Sequence, residues 1–160
     1  FMKEMGYDHY FGFANREDEN APSGHMMEGE VWTEIGPTHE YSGVPEMMSA
    51  AGMLSMNILD YANLIQMQLK GLNGEETYLS AESMNTHHFG VEKYAYGWIN
   101  AVQNGLKLST HDGNLSSCYC HTLIIPKLSC AITIMFNSAL PEHVQAMSEL
   151  EQDILKEMLR

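Results

Sequence analysis

Residues 94–138 read YAYGWINAVQNGLKLSTHDGNLSSCYCHTLIIPKLSCAITIMFNS, and the fold turns on this stretch. The runs YAYGWINAV, LKLSTHD, SCYCHTLIIP and CAITIMFNS are short and rich in aromatic and β-branched residues. QNG, GNLS and PKLS separate them, and Gly, Asn, Ser and Pro are the residues that turns select. The pattern predicts an antiparallel meander of three or four strands. Directly after it, PEHVQAMSELEQDILKEMLR opens with Pro141 near the first helical position. Val144, Met147, Leu150, Ile154 and Met158 recur on one face of that helix, and an apolar face needs a partner. The preceding sheet is the natural one, which makes the fold class α+β.

The segment before the meander is helical in pattern. In SAAGMLSMNILDYANLIQMQLKGLNG (residues 49–74), Leu54, Ile58, Ala62, Ile65 and Leu69 recur at helical spacing. Ser55 or Asn57 can cap its start, and Gly71 with Asn73–Gly74 stops it. LSAESMNTHH (residues 79–88) predicts a second, shorter helix with Ser80 as N-cap and Ser83 in its first turn. Residues 1–46 are rich in Gly, Pro, Asn, Glu and His without sustained periodicity, with EVWTEI (residues 30–35) a short strand. So long an irregular segment inside a compact domain usually has a task, such as roofing a cleft. The chain then reads as one domain portion: irregular 1–46, helical 47–90, sheet and closing helix 91–160.

Composition narrows the function classes. A chain of 160 residues with 44% hydrophobic residues can bury a single core. Eight basic residues against 21 acidic ones give −13, a charge that repels nucleic acid and anionic membrane surfaces. No apolar run approaches the ~20 residues that span a bilayer. The opening FMKEMG carries no signal peptide, so localisation stays open. Three cysteines are too few for a disulfide scaffold. Cys118 and Cys120 fall on one side of one strand, and Cys130 lies opposite about residue 125, so free thiols are expected. CYCH does not read as a zinc site, because the two thiols face away from His121 on a strand. His87 and His88 point ~100° apart on a helix and read as a solvated helix end rather than a metal pair. Trp98 and Tyr96 read as core residues of the first strand. Neither a metal nor another cofactor is called for.

His111-Asp112-Gly113 admits two readings. Asp and Gly are turn formers, so the triplet alone suits a strand-to-turn transition. It also suits the wall of a site. An imidazole changes charge near neutral pH, and glycine lets another group approach the backbone.

Four stretches in order resemble the β-lactamase-related serine hydrolases, the superfamily of class C β-lactamases, penicillin-binding proteins, D-amino-acid peptidases and esterases. FMKEMGYDHYFGFAN resembles the family's PLGM-x-x-T segment. SAAGMLSMNILDYANLIQMQLKG resembles its small-residue, hydrophobic, S-x-x-x-D helix, and YAYGW its YGxGW. HDGNLSSCYCHTLIIPKLSCAITIMFNS resembles its H-x-G, strand, P, strand, N-S ending. The match runs through about residues 46–140, and its details are nearest those of fungal members. The resemblance implies the C-terminal part of a β-lactamase/transpeptidase-like fold: three of five sheet strands, part of the helical subdomain and the closing helix.

The family's chemistry rests on S-x-x-K, on Y-x-N or S-x-N, and on K-T-G or H-x-G. Only the third is present, because no Ser here has a Lys three residues later. Tyr61-Ala62-Asn63 has the letters of the second but sits in a helix matching another segment. The resemblance therefore implies the C-terminal half of a serine hydrolase forming an acyl-enzyme with an amide, lactam or ester. Nucleophile and lysine would lie outside this chain, which alone would be inactive. His111 would bond the substrate's carboxylate or tune the proton relay, and Gly113 would admit the substrate carbonyl. The N–H of Asn114 would be the second oxyanion donor. Asp112 points to the other strand face and reads first as structural; with Tyr96 and Ser116 it is also a candidate substrate contact. Ser116 and Ser117 stand where relatives often carry glycine, so the cleft would be shaped differently. Expected partners are a small-molecule or peptide substrate, the missing N-terminal half and, through uncovered apolar surface, a second copy. The alternative is a non-catalytic binding module with the same cleft. A standalone domain of unrelated fold comes third.

Overall fold

The computed structural model describes residues 1–40, 47 and 49–159. Residue 46, the expected boundary of the irregular segment, and Arg160 lie outside the described residues. The architecture is mixed α and β with antiparallel sheets and a C-terminal helix. Two compact units divide the chain: Phe1–Met56, Gly113–Cys120 and Ile134–Arg160 form one, Asn57–Asp112 and His121–Thr133 the other.

The meander is a five-stranded sheet in sequential order: β5 (Tyr94–Ala95), β6 (Trp98–Gln103), β7 (Leu106–Leu115), β8 (Cys118–Ile125) and β9 (Cys130–Phe136). The expected count of three or four strands falls short because YAYGW is itself a hairpin. Tyr96 and Gly97 both have positive φ, 41° and 95°, and Ala95 pairs with Trp98 across them. Two consecutive left-handed residues are what a two-residue hairpin turn needs. Tyr96 is consequently 64% exposed rather than in the core. Asn104–Gly105 turns the chain in the same way, with Gln103 opposite Leu106. GNLS is not turn throughout: β7 runs on to Leu115, and only Ser116 and Ser117, at φ 49° and 57°, reverse the chain. Gly113 and Asn114 are therefore strand residues.

The second unit holds α2 (Ile58–Leu72) and α3 (Ala81–Phe89) with β5, β6 and the parts of β7, β8 and β9 that fall within it. The Asn57 side chain caps α2 by accepting from the Asp60 N–H, and Ser80 caps α3 through the Ser83 N–H. That cap starts α2 at Ile58, so Leu54 falls in a strand, and Ile58 and Ala62 are exposed. The buried positions are Leu64, Ile65, Gln68 and Gly71. Gly71 does not stop the helix; it lies inside it, where a Cβ would stand 2.9 Å from Met84 Cγ. Ile65, Trp98 and Ile124 form the core cluster, flanked by Tyr61, Leu69, Leu72 and Ala131. Five consecutive buried residues, His121–Ile125, show that β8 is covered on both faces.

The first unit holds more order than its composition suggests. β2 (Gly24–Glu28) and β3 (Val31–Ile35) form a hairpin, and β1 (His9–Phe11) pairs with β4 (Leu54–Met56). A four-residue helix α1 (Ser49–Gly52) precedes β4. In α4 (Pro141–Met158) Met147 is buried and Val144 and Ile154 are half-buried, whereas Leu150 and Met158 are exposed. His143, Glu151 and Leu155 take the remaining half-buried places, so the inward face is rotated from the expected stripe.

No disulfide joins the three cysteines, and desolvation pushes the Cys118 and Cys130 thiols above the usual range. Among the described residues no group of three or more His, Cys, Asp or Glu is arranged to hold a metal, and no helix is long and apolar enough to cross a membrane.

Candidate functional site

Strand β7 carries the residues of interest in sequence. At its protected part, Ser109 is fully buried with His88 and Gln68. His88 Nε2–H donates to Gln68 Oε1 at 3.0 Å, which leaves Nδ1 to accept from the Ser109 hydroxyl at 2.7 Å. The ring stacks on Trp98 with centroids 4.6 Å apart. Burial first, and the neighbouring His87 second, push the His88 pKa down to about 3. The expected solvated helix end is thus overturned for His88. It is a neutral clamp between α2, α3 and β7, out of reach of any substrate.

His111 is half-buried, and its Nε2 shares a 3.2 Å hydrogen bond with the Tyr94 hydroxyl. Asp112, one residue on, accepts from His121 Nδ1–H of β8 at 2.6 Å. His121 is nearly enclosed while half of the Asp112 side chain stays open to solvent. This ion-pair geometry across two strands gives Asp112 a structural partner. Gly113 and Asn114 are exposed. A Cβ on Gly113 would meet nothing nearer than the Cys120 carbonyl oxygen at 3.9 Å, and its φ is not left-handed. Neither packing among the described residues nor backbone conformation requires glycine there, although glycine in a strand costs about 0.5–1 kcal/mol against alanine. In strands such glycines occur at bulges, at bends and where a ligand or another backbone approaches.

Tyr96 stands on the β5–β6 turn with its ring stacked on His87, centroids 6.3 Å apart. Ser116 belongs to the β7–β8 turn, where its carbonyl oxygen lies against the bare Cα of Gly24.

No model of a known protein family matches the sequence, and no curated protein matches it. The fold resembles that of a penicillin-binding protein homologue. The solved structure of the octameric penicillin-binding protein homologue from Pyrococcus abyssi aligns with 96% of this chain at a TM-score of 0.72 and 22% identity. The chain spans 36% of the length of that protein. At this identity the likeness is one of fold.

Two arrangements in the structure were not anticipated. One is the Asp112–His121 pair already described. The other lies in the first unit, where His25 stacks on Trp32 at 5.5 Å and Trp32 meets His143 edge-on at 5.8 Å. Ser138 Oγ and His143 Nδ1 share a 2.7 Å hydrogen bond beside them. Reading HMMEGEVWTEI as a hairpin would have brought His25 opposite Glu34 and Trp32 onto the same side.

Proposed function

We propose that the chain is the C-terminal half of a serine hydrolase that forms an acyl-enzyme with an amide, lactam or ester. The likeness in fold to a penicillin-binding protein homologue supports this, together with H-x-G on the central strand of the sheet. The observation that carries it is Gly113, a strand glycine with open space above it and no internal need for it. In this reading the substrate carbonyl lies against Gly113 and the Asn114 N–H donates to its developing oxyanion. One such donor is worth about 3 kcal/mol in a working acyl-transfer site. His111, held by Tyr94, bonds the substrate's carboxylate or tunes the proton relay, and Tyr96, Asp112 and Ser116 are further proposed contacts. The attacking serine and its lysine come from a segment outside these 160 residues, and an assembly with further copies is part of the proposal.

The test is hydrolysis of nitrocefin and p-nitrophenyl acetate. The 160-residue chain gives no turnover above buffer, and turnover proportional to its concentration would sink the claim. The product of the complete gene turns over, and His111→Ala lowers its kcat/KM by about 100-fold. A complete gene without S-x-x-K, whose product still binds acyl-D-amino acid ligands at His111, would establish the non-catalytic binding module instead.

A further inference from the structure

At the opposite end of β7 from Gly113, a cleft of about 210 Å³ opens beside Lys107 and Lys127. Leu72, Phe89 and Pro126 give it apolar walls, and the Asn85 amide adds a polar group. Lys107 lies four residues before His111, about 13 Å along the strand, so the cleft is separate from the proposed acyl-transfer wall.

Its charge runs against the rest of the molecule. The chain has 21 acidic residues and only eight basic ones, yet two of the eight line this one cleft and no carboxylate does. Neither lysine has an ion-pair partner among the described residues. The Lys107 ammonium instead stands 5.2 Å from the centroid of the Phe89 ring, which fixes both at the rim. Two uncompensated ammonium groups over apolar walls suit a ligand with the reverse layout. Its anionic head would sit between the lysines and its hydrocarbon against Leu72, Phe89 and Pro126. The volume is below the ~300 Å³ at which clefts begin to take drug-sized ligands, which limits the occupant to a small molecule.

We propose that this cleft binds a small organic carboxylate, one carboxylate carried on a short apolar group. Benzoate is the probe, benzyl alcohol its uncharged counterpart, and inorganic phosphate the anion without an apolar part. Isothermal titration of the 160-residue chain gives saturable benzoate binding in roughly the millimolar range. Lys107→Gln and Lys127→Gln each weaken it about fivefold, the reach of one exposed charge pair, and 0.5 M salt weakens it further. Lys127 is the exposed residue of the 3-10 turn Pro126–Leu128, so its variant tests the charge without disturbing the Phe89 contact. Benzyl alcohol and phosphate bind at least fivefold more weakly than benzoate. No benzoate heat, equal affinity for benzyl alcohol or for phosphate, or an unchanged affinity in Lys127→Gln would each overturn the proposal.

Discussion

A methyl group added at Gly24 would stand 1.8 Å from the Ser116 carbonyl oxygen, whereas at Gly113 it would meet nothing within 3.9 Å. Gly24→Ala is therefore expected to cost more than about 2 kcal/mol in a urea melt, because backbone must move. Gly113→Ala should be neutral or stabilise by up to about 1 kcal/mol, since a compatible alanine narrows the unfolded ensemble. A Gly113→Ala variant that melts normally but loses the acyl-transfer activity proposed here would separate the site from the fold. His88 gives a pH prediction with a definite sign. Its folded pKa is lowered to about 3 by burial, below the ordinary 6.5, so the unfolded chain binds the proton first. Stability is whole above pH 6.5 and falls as the pH drops towards 3, by at most about 1.4 kcal/mol per pH unit. Urea melts between pH 7 and 4 should show that slope reduced in His88→Gln, and an unchanged slope would contradict it. The letters of the candidate site were legible because H-D-G is a local string. Its partners were not. Asp112 and His121 each lie four residues from the Ser116–Ser117 turn, so their meeting follows only once the turn is placed there rather than on Gly113–Asn114.

At the scale of elements, α2 and α3 meet where Gly71 leaves room for Met84, which is fully buried. Met84→Ala should cost about 2–4 kcal/mol by the cavity it leaves. Gly71→Ala crowds Met84 in the native protein, yet it places a methyl group in the space that Met84→Ala empties. The double variant is expected to lose at least about 0.5 kcal/mol less than the sum of the singles, and additive losses in chemical melts would refute the packing account. Element types were legible from periodicity and caps: Asn57, Ser80 and Pro141 stand where the helices begin. What escaped was the phase of the apolar faces. Gln68 and His88 are buried although polar, because each satisfies the other. Leu150 and Ala62 are exposed although apolar, which single residues tolerate without consequence. The extra hairpin at Tyr96–Gly97 and the exact place of the turn after Leu115 escaped for a backbone reason. Tyr96 and Ser116–Ser117 adopt left-handed φ at positions where the sequence offers no Asn-Gly signal.

For the whole molecule, charge and apolar exposure act in opposite directions. A net charge of −13 on 160 residues repels a second copy. Phe11, Val31, Leu59, Tyr96, Val102 and Leu159 are each more than 60% exposed, surface that association would remove from water. The aligned penicillin-binding protein homologue is nearly three times as long, and under the proposed reading part of that surface is covered by the rest of such a fold. The 160-residue chain alone is then expected to self-associate, and salt decides how strongly. The screening length shrinks from roughly 20 Å at 20 mM salt to about 6 Å at 300 mM, which removes the repulsion between copies. Apolar contact does not weaken over that range, so sedimentation velocity should show the weight-average mass rising with salt and with protein concentration. Association driven by ion pairs would change in the opposite direction, falling as salt is added. A monodisperse, cooperatively melting monomer at both salt concentrations would show that the exposed apolar residues need no covering partner, and would count against the reading of this chain as half of a larger hydrolase.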